Sequence, residues 1–175
     1  DDAADLMANL TSERAEALLE LMDDEEAEDI RQLLKYEPYT AGGLMTPEPI
    51  ICAADTTVAE ALALIRRREV EPVLAAQVFV TMPPYETPAG RYLGVVHFQK
   101  LLRYPPSERL GTLLDSEQEP IDAHTPIGQI HRDLATYDLV ALPVIDTERH
   151  LIGAVTVDDV LDHLLPDDWR SEEES

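Results

Sequence analysis

Two stretches of this chain repeat each other, and that duplication restricts its fold more than anything else in it. "CAADTTVAEAL" (52–62) superposes on "IDAHTPIGQI" (121–130), and "LGVVHFQKLL" (93–102) on "IGAVTVDDVL" (152–161). A fixed internal period means one supersecondary unit used twice. Each copy reads as strand, helix, strand, strand, helix. In the second copy the β-branched runs "LVALPVID" and "LIGAVTV" are separated by the turn "TERH". The first copy has "VTMPPYETPAGRY" there, a longer Pro-rich loop expected to be exposed and mobile. Between the copies, "RYPPSERLGTLLD" has linker chemistry, because Pro105 and Pro106 cannot continue a helix.

A shorter repeat precedes these units. "TSERAEALLELM" and "DDEEAEDIRQLL" superpose at an offset of twelve, placing Ala15 on Ala27, Leu18 on Ile30, Leu21 on Leu33 and Met22 on Leu34. The apolar spacing is helical, and Asp23 with Glu26 has the form of a capping box. Short helices of this kind bury their apolar stripes by stacking into a superhelix. Residues 1–40 carry 13 acidic against 3 basic residues, read for the most part as a solvated helical face.

Charge narrows the function. With 36 acidic and 13 basic residues in 175, the formal net charge is −23. Such a surface repels phosphate backbones, which argues against nucleic acid, and it attracts cations. No apolar run is long enough to cross a bilayer and no signal peptide is expected. Cys52, the single cysteine, fits a reducing compartment. The first residue is Asp1 and the last segment is "RSEEES", so the chain reads as a piece of something longer. There is no Gly-rich phosphate loop, nucleophile elbow or Cys/His cluster to support catalysis. Asp159 and His163, at i and i+4, have transition-metal spacing but read more simply as helix-surface residues.

The paired βαββα units resemble tandem CBS domains. "YEPYTAGGLMTPEPI", the acidic helices before it, and "TYDLVALPVID" followed by "LIGAVTVDDVLD" together resemble the cytosolic region of the MgtE magnesium transporter family. The implied fold is α+β: a short all-helical superhelical N-terminal segment (1–43), a first CBS domain (44–104), a linker (105–112), a second CBS domain (113–166) and a tail (167–175). The implied function is a sensor and not an enzyme. It would be a cytoplasmic module, homodimeric through its CBS domains, belonging either to an inner-membrane transporter whose transport domain lies outside this segment or to a stand-alone relative that keeps the sensor and lacks the channel. Mg2+ or another divalent cation would draw acidic domains together. Carboxylates suit that task, because Mg2+ is a hard cation that prefers oxygen ligands.

The family's metal positions fall on Asp138, Asp159, Asp162 and the backbone carbonyl of Gly43, with Asp158 a lesser candidate. Asp159 and Asp162 are three apart on one helix face, where like charges repel until a cation arrives. The competing ligand is an adenosine nucleotide, which CBS pairs hold with a Gly-x-x-Thr-x-x-Asp pattern. The second repeat has it at Gly153, Thr156 and Asp159. The first leads from Gly94 to His97 and Lys100, and Leu139 stands where the family has an aromatic, so its ATP site is not expected here. Thr156 also reads as a helix N-cap.

Overall fold

The computed structural model describes residues 2–8, 10–115, 117–137 and 139–165. It opens with three helices, α1 (Asp2–Ala8), α2 (Ser12–Leu19) and α3 (Asp24–Leu33), then a single helical turn, α4 (Ala41–Leu44). The twelve-residue superposition holds only in part. Ala15, Ala27, Ile30 and Leu33 are buried, but Leu21 is 83% exposed and Leu18 is also exposed, while Leu19 takes the core position. The reason is length: α2 ends at Leu19, so Leu21 lies beyond the helix, whereas α3 continues through Leu33. Asp23 does cap α3, but its carboxylate accepts from the N–H of Glu25, one residue short of Glu26.

The two repeats then follow in the expected order. The first is β1 (Ile51–Cys52), α5 (Val58–Ile65), β2 (Gln77–Thr81), β3 (Tyr92–His97) and α6 (Phe98–Leu101). The second is β4 (Ile121–Asp122), α7 (Ile127–Thr136), β5 (Ala141–Ile145), β6 (Leu151–Thr156) and α8 (Val157–Asp162). Each sheet has its middle strand parallel to the first and antiparallel to the third. Even the bulge is duplicated: the register slips between Val80 and Thr81 in one sheet and between Val144 and Ile145 in the other.

Strands β2, β5 and β6 are buried along their whole length, which explains their unbroken apolar character. One face meets helices; the other meets the opposite sheet. Phe79, Tyr92 and Val95 from the first repeat join Ile145, Leu151 and Ala154 from the second in one cluster between the sheets. The "TERH" turn reverses tightly, with Arg149 at φ 65° and the Asp146 carboxylate accepting from the N–H groups of Glu148 and His150.

The Pro-rich loop corrects the expectation of a free excursion. Its tip, including Met82 and Tyr85, is exposed. Its returning arm is pinned: the Ala89 N–H donates to the Leu151 carbonyl at 2.8 Å and the Tyr92 N–H to the Arg149 carbonyl at 2.9 Å. Ala89 is buried, so the arm extends the contact between the sheets.

An unforeseen feature is that each repeat is clasped by the segment leading into the other. Residues 39–46, which precede the first repeat, lie on the second: Ala41 and Gly42 donate to the carbonyls of Thr125 and Ala123, and Thr46 forms a bridge with Ala154. Residues 108–115, which precede the second repeat, lie on the first in the same way. Leu110 and Gly111 donate to the carbonyls of Thr56 and Ala54, and Asp115 bridges to Val95. Through its clasp the helical segment shares one core with the second repeat, where Leu33, Leu44 and Met45 pack with Ile130, Ile152 and Val155. The first repeat has its own core, sealed by Leu110 and Leu113.

Candidate functional site

Strand β6 is the platform for most of the residues expected to bind ligand, since both α4 and α8 pack on it. At its end Thr156 is the N-cap of α8 and forms a full capping box with Asp159. The Thr156 hydroxyl accepts from the Asp159 N–H at 3.3 Å. In return Asp159 Oδ2 accepts from the Thr156 N–H at 2.9 Å and the hydroxyl at 2.7 Å. Burial holds the Asp159 carboxyl above its ordinary range, partly offset by these two bonds. Asp162 is half-buried at the end of α8. His163 Nδ1 lies 2.8 Å from the Asp159 backbone carbonyl, not its carboxylate, and its ring meets Tyr39 edge-on at 5.7 Å. That use of the ring disfavours a transition-metal pair.

The cap has a measurable role. Thr156→Ala should lower stability by about 1–2 kcal/mol, and Thr156→Ser should retain most of it. Urea unfolding of both variants checks this; an unaffected Ala variant would mean that the box does not hold α8.

Gly43 is buried in α4, pressed on the segment before it: a Cβ there would lie 2.3 Å from the Glu37 carbonyl oxygen. Gly153, first in the nucleotide-like pattern, has a packing explanation as well. A Cβ on it would meet Met45 Sδ and the Thr46 carbonyl at 2.7 Å, so the clasp needs a glycine there. Asp138 lies outside the described residues. Among the described residues, no three His, Cys, Asp or Glu side chains come together as a ready metal shell.

The structure adds a candidate that the sequence reading missed. A cleft of about 460 Å³ opens between α3 and the first repeat, lined by Glu25, Glu28, Asp29, Glu48 and Glu86 beside Pro47 and Tyr85. Burial, then the charges of Glu25 and Glu28, raise the Asp29 carboxyl above its usual range. Three of these acids come from α3, whose acidity was read as a solvated face. Their spacing at i, i+3 and i+4 was the available signal, since it puts Glu25, Glu28 and Asp29 on one side of the helix.

In the first repeat His97 is the N-cap of α6 without a side-chain cap bond, so the hydroxyl–carboxylate pair of the second repeat has no counterpart there. Another cleft, of about 390 Å³, lies between Asp115, residues 117–121, α7 and β5. Asp115, Glu117, Glu119 and Asp133 line it around an apolar floor that includes Ile121 and Leu142. Its charge is unfavourable to a polyphosphate.

Comparison with known proteins agrees with this architecture. The profile of the MgtE intracellular N domain matches residues 1–39, and that of the CBS domain matches 41–107 and 116–166. The magnesium transporter MgtE of Thermus thermophilus is 32% identical over 94% of this chain, which spans 36% of that protein. The solved cytosolic domain of the Mg2+ channel MgtE in complex with ATP superposes with a TM-score of 0.76 at 32% identity, over 86% of this chain and 58% of that one. The soluble part of a magnesium transporter gives 0.79 at 28% identity, over 94% and 62%. This chain therefore spans about a third of the curated relative it matches, and no helix among its described residues is long and apolar enough to cross a membrane. With its helical segment, paired CBS domains and level of identity, the chain belongs to the MgtE magnesium transporter family and is homologous to its cytosolic region.

Proposed function

We propose that this chain is a Mg2+-responsive, non-catalytic regulatory region that governs magnesium transport through metal-dependent packing of its acidic parts, as a homodimer. The acidic cleft between α3 and the first repeat carries this reading. Its five carboxylates are hard oxygen donors, three on α3, Glu48 on the connecting stretch and Glu86 on the Pro-rich loop of the first repeat. They suit a cation that keeps part of its water shell and bridges surfaces more than one that sits in a closed cage. Asp159, Asp162, Gly43 and Asp138 are proposed as a second metal-facing set. Asp159 would ligate through Oδ1, because Oδ2 serves the capping box.

The raised carboxyls support the reading. An acid whose folded-state pKa exceeds its unfolded value binds protons more tightly when folded. The ionised form therefore costs stability, and the cost grows as pH rises through the interval between those two values. Asp29 and Asp159 both have this sign. A bound cation would relieve the same strain at neutral pH.

Mg2+ should raise the melting temperature beyond the effect of NaCl at equal ionic strength, the control that removes general screening of the −23 surface. A sensor working near cytosolic levels needs a dissociation constant on the order of 1 mM, and about 10 mM Mg2+ then adds roughly 1.4 kcal/mol per site. Glu28→Gln with Asp29→Asn should blunt the response of the cleft, and Asp159→Asn with Asp162→Asn that of α8. If both double variants respond as fully as the parent, the metal acts elsewhere.

The alternative, a nucleotide-responsive CBS module, has less support. His97 and Lys100 occupy the contact positions of the first repeat, Thr156 and Asp159 are bonded to each other, and the cleft beside α7 is acidic.

A further inference from the structure

The cleft beside α7 offers one sign of charge. Asp115, Glu117, Glu119 and Asp133 line it, and among the described residues no basic side chain does. None of the four is ion-paired among those residues. Charge alone makes no binding site, since an acidic surface is ordinarily a solvated one. The inner end of this cleft adds a second, independent feature.

Two glutamine amides converge there on one carbonyl, next in sequence to Leu142 of the cleft floor. Gln77, 1% exposed, and Gln118, which lines the cleft, donate through Nε2 to the Ala141 carbonyl at 3.3 and 3.1 Å. A carbonyl only accepts, so both amides are fixed with nitrogen toward Ala141 and oxygen away from it. Both Oε1 atoms are buried and have no partner among the described residues. A third orphan is the hydroxyl of Tyr92, a residue only 6% exposed. Burial, then the charges of Asp115 and Glu119, push that hydroxyl above its usual range, so it lies within reach of two acids of the cleft. Buried acceptors are almost always satisfied, and the acceptors gathered here call for a donor.

We propose that this cleft binds a small aliphatic diamine or polyamine, a ligand of opposite charge to a nucleotide. An alkylammonium head has three N–H donors and no acceptor, matching an acceptor such as Gln118 Oε1 inside a negative cleft. Its methylene stem buries on an apolar floor such as Ile121 and Leu142 while a second ammonium stays among Glu117 and Glu119, which are exposed at the rim. The phosphates of a nucleotide would meet four carboxylates of their own sign. A hydrated Mg2+ gains nothing from an apolar floor, and no three carboxylates among the described residues come together here as a metal shell. The proposal goes beyond the Mg2+ reading and does not depend on it.

Calorimetric titration with putrescine and with spermidine tests it. The buffer holds about 0.15 M NaCl and about 10 mM Mg2+, so that general screening and metal binding are already in place. Both amines should bind the parent chain. Gln118→Leu changes no charge and leaves the Ala141 carbonyl its bond from Gln77. That variant should therefore keep its fold and bind the amines at least about tenfold more weakly, the loss expected for a hydrogen bond to a charged group. Glu117→Gln with Glu119→Gln should weaken them as much. Glu13→Gln with Glu20→Gln, an equal change of charge at exposed positions of α2 and its C-cap, should not. If Gln118→Leu does not fold, the contrast between the two glutamate pairs decides. No binding of either amine, or equal weakening by both pairs, would overturn the proposal. Undiminished binding by a folded Gln118→Leu variant would reduce the effect to surface charge and overturn it too. ATP that binds the parent and displaces the amine would return the cleft to a nucleotide.

Discussion

Leu110→Ala should cost about 2–5 kcal/mol, the range for truncating a large apolar side chain that cannot be re-packed around. Leu110 is fully buried although it lies in a stretch with the composition of a linker. Its side chain belongs to the core of the first repeat, beside Val58, Ala61 and Leu101, and its N–H is bonded to the Thr56 carbonyl. Equilibrium urea unfolding gives the number. A loss below about 1 kcal/mol would mean that the segment only passes over the first repeat and does not close it.

Gly43→Ala is the second large effect, with an expected loss of about 3 kcal/mol. The added methyl would stand 2.3 Å from the Glu37 carbonyl oxygen and 2.9 Å from the Pro38 Cα, both backbone atoms that cannot swing aside as a side-chain tip could. Relief would require the helices to lift from α4, so early protease cleavage between residues 34 and 46 should accompany the loss. Gly128→Ala in α7 is the control, because a Cβ there meets nothing within 4 Å and alanine favours the helix. Equal stability of the two alanine variants would refute tight docking at Gly43.

Much of the fold was legible because it rests on local patterns. The strands of the second repeat are continuous apolar runs bounded by turn residues, and the duplication supplied those of the first. The helical segment was legible only as helices. "LLELM" offers Leu18, Leu19, Leu21 and Met22 in five positions, and which of them faces inward depends on where α2 stops. The clasps could not be read at all. They pair Thr46 with Ala154 and Leu110 with Thr56, contacts set by docking and not by any periodicity. The acidic cleft failed for the same reason, since Asp29, Glu48 and Glu86 are brought together only by tertiary packing. Thr156 was legible on both counts, as a cap and as part of a ligand pattern. The hydrogen bonds realise the first, and Met45 against Gly153 accounts for another part of the second.

The exchanged clasps make covalent order and mechanical order different in this molecule. Along the chain the helical segment is the neighbour of the first repeat; by its packing it is welded to the second. The helical segment therefore forms one packed body with β6 and α8, and the first repeat meets that body through the cluster between the sheets and the short stretch around Pro47 and Pro49. The acidic cleft lies between α3 and the first repeat, so its charge acts across the boundary between that packed body and the first repeat.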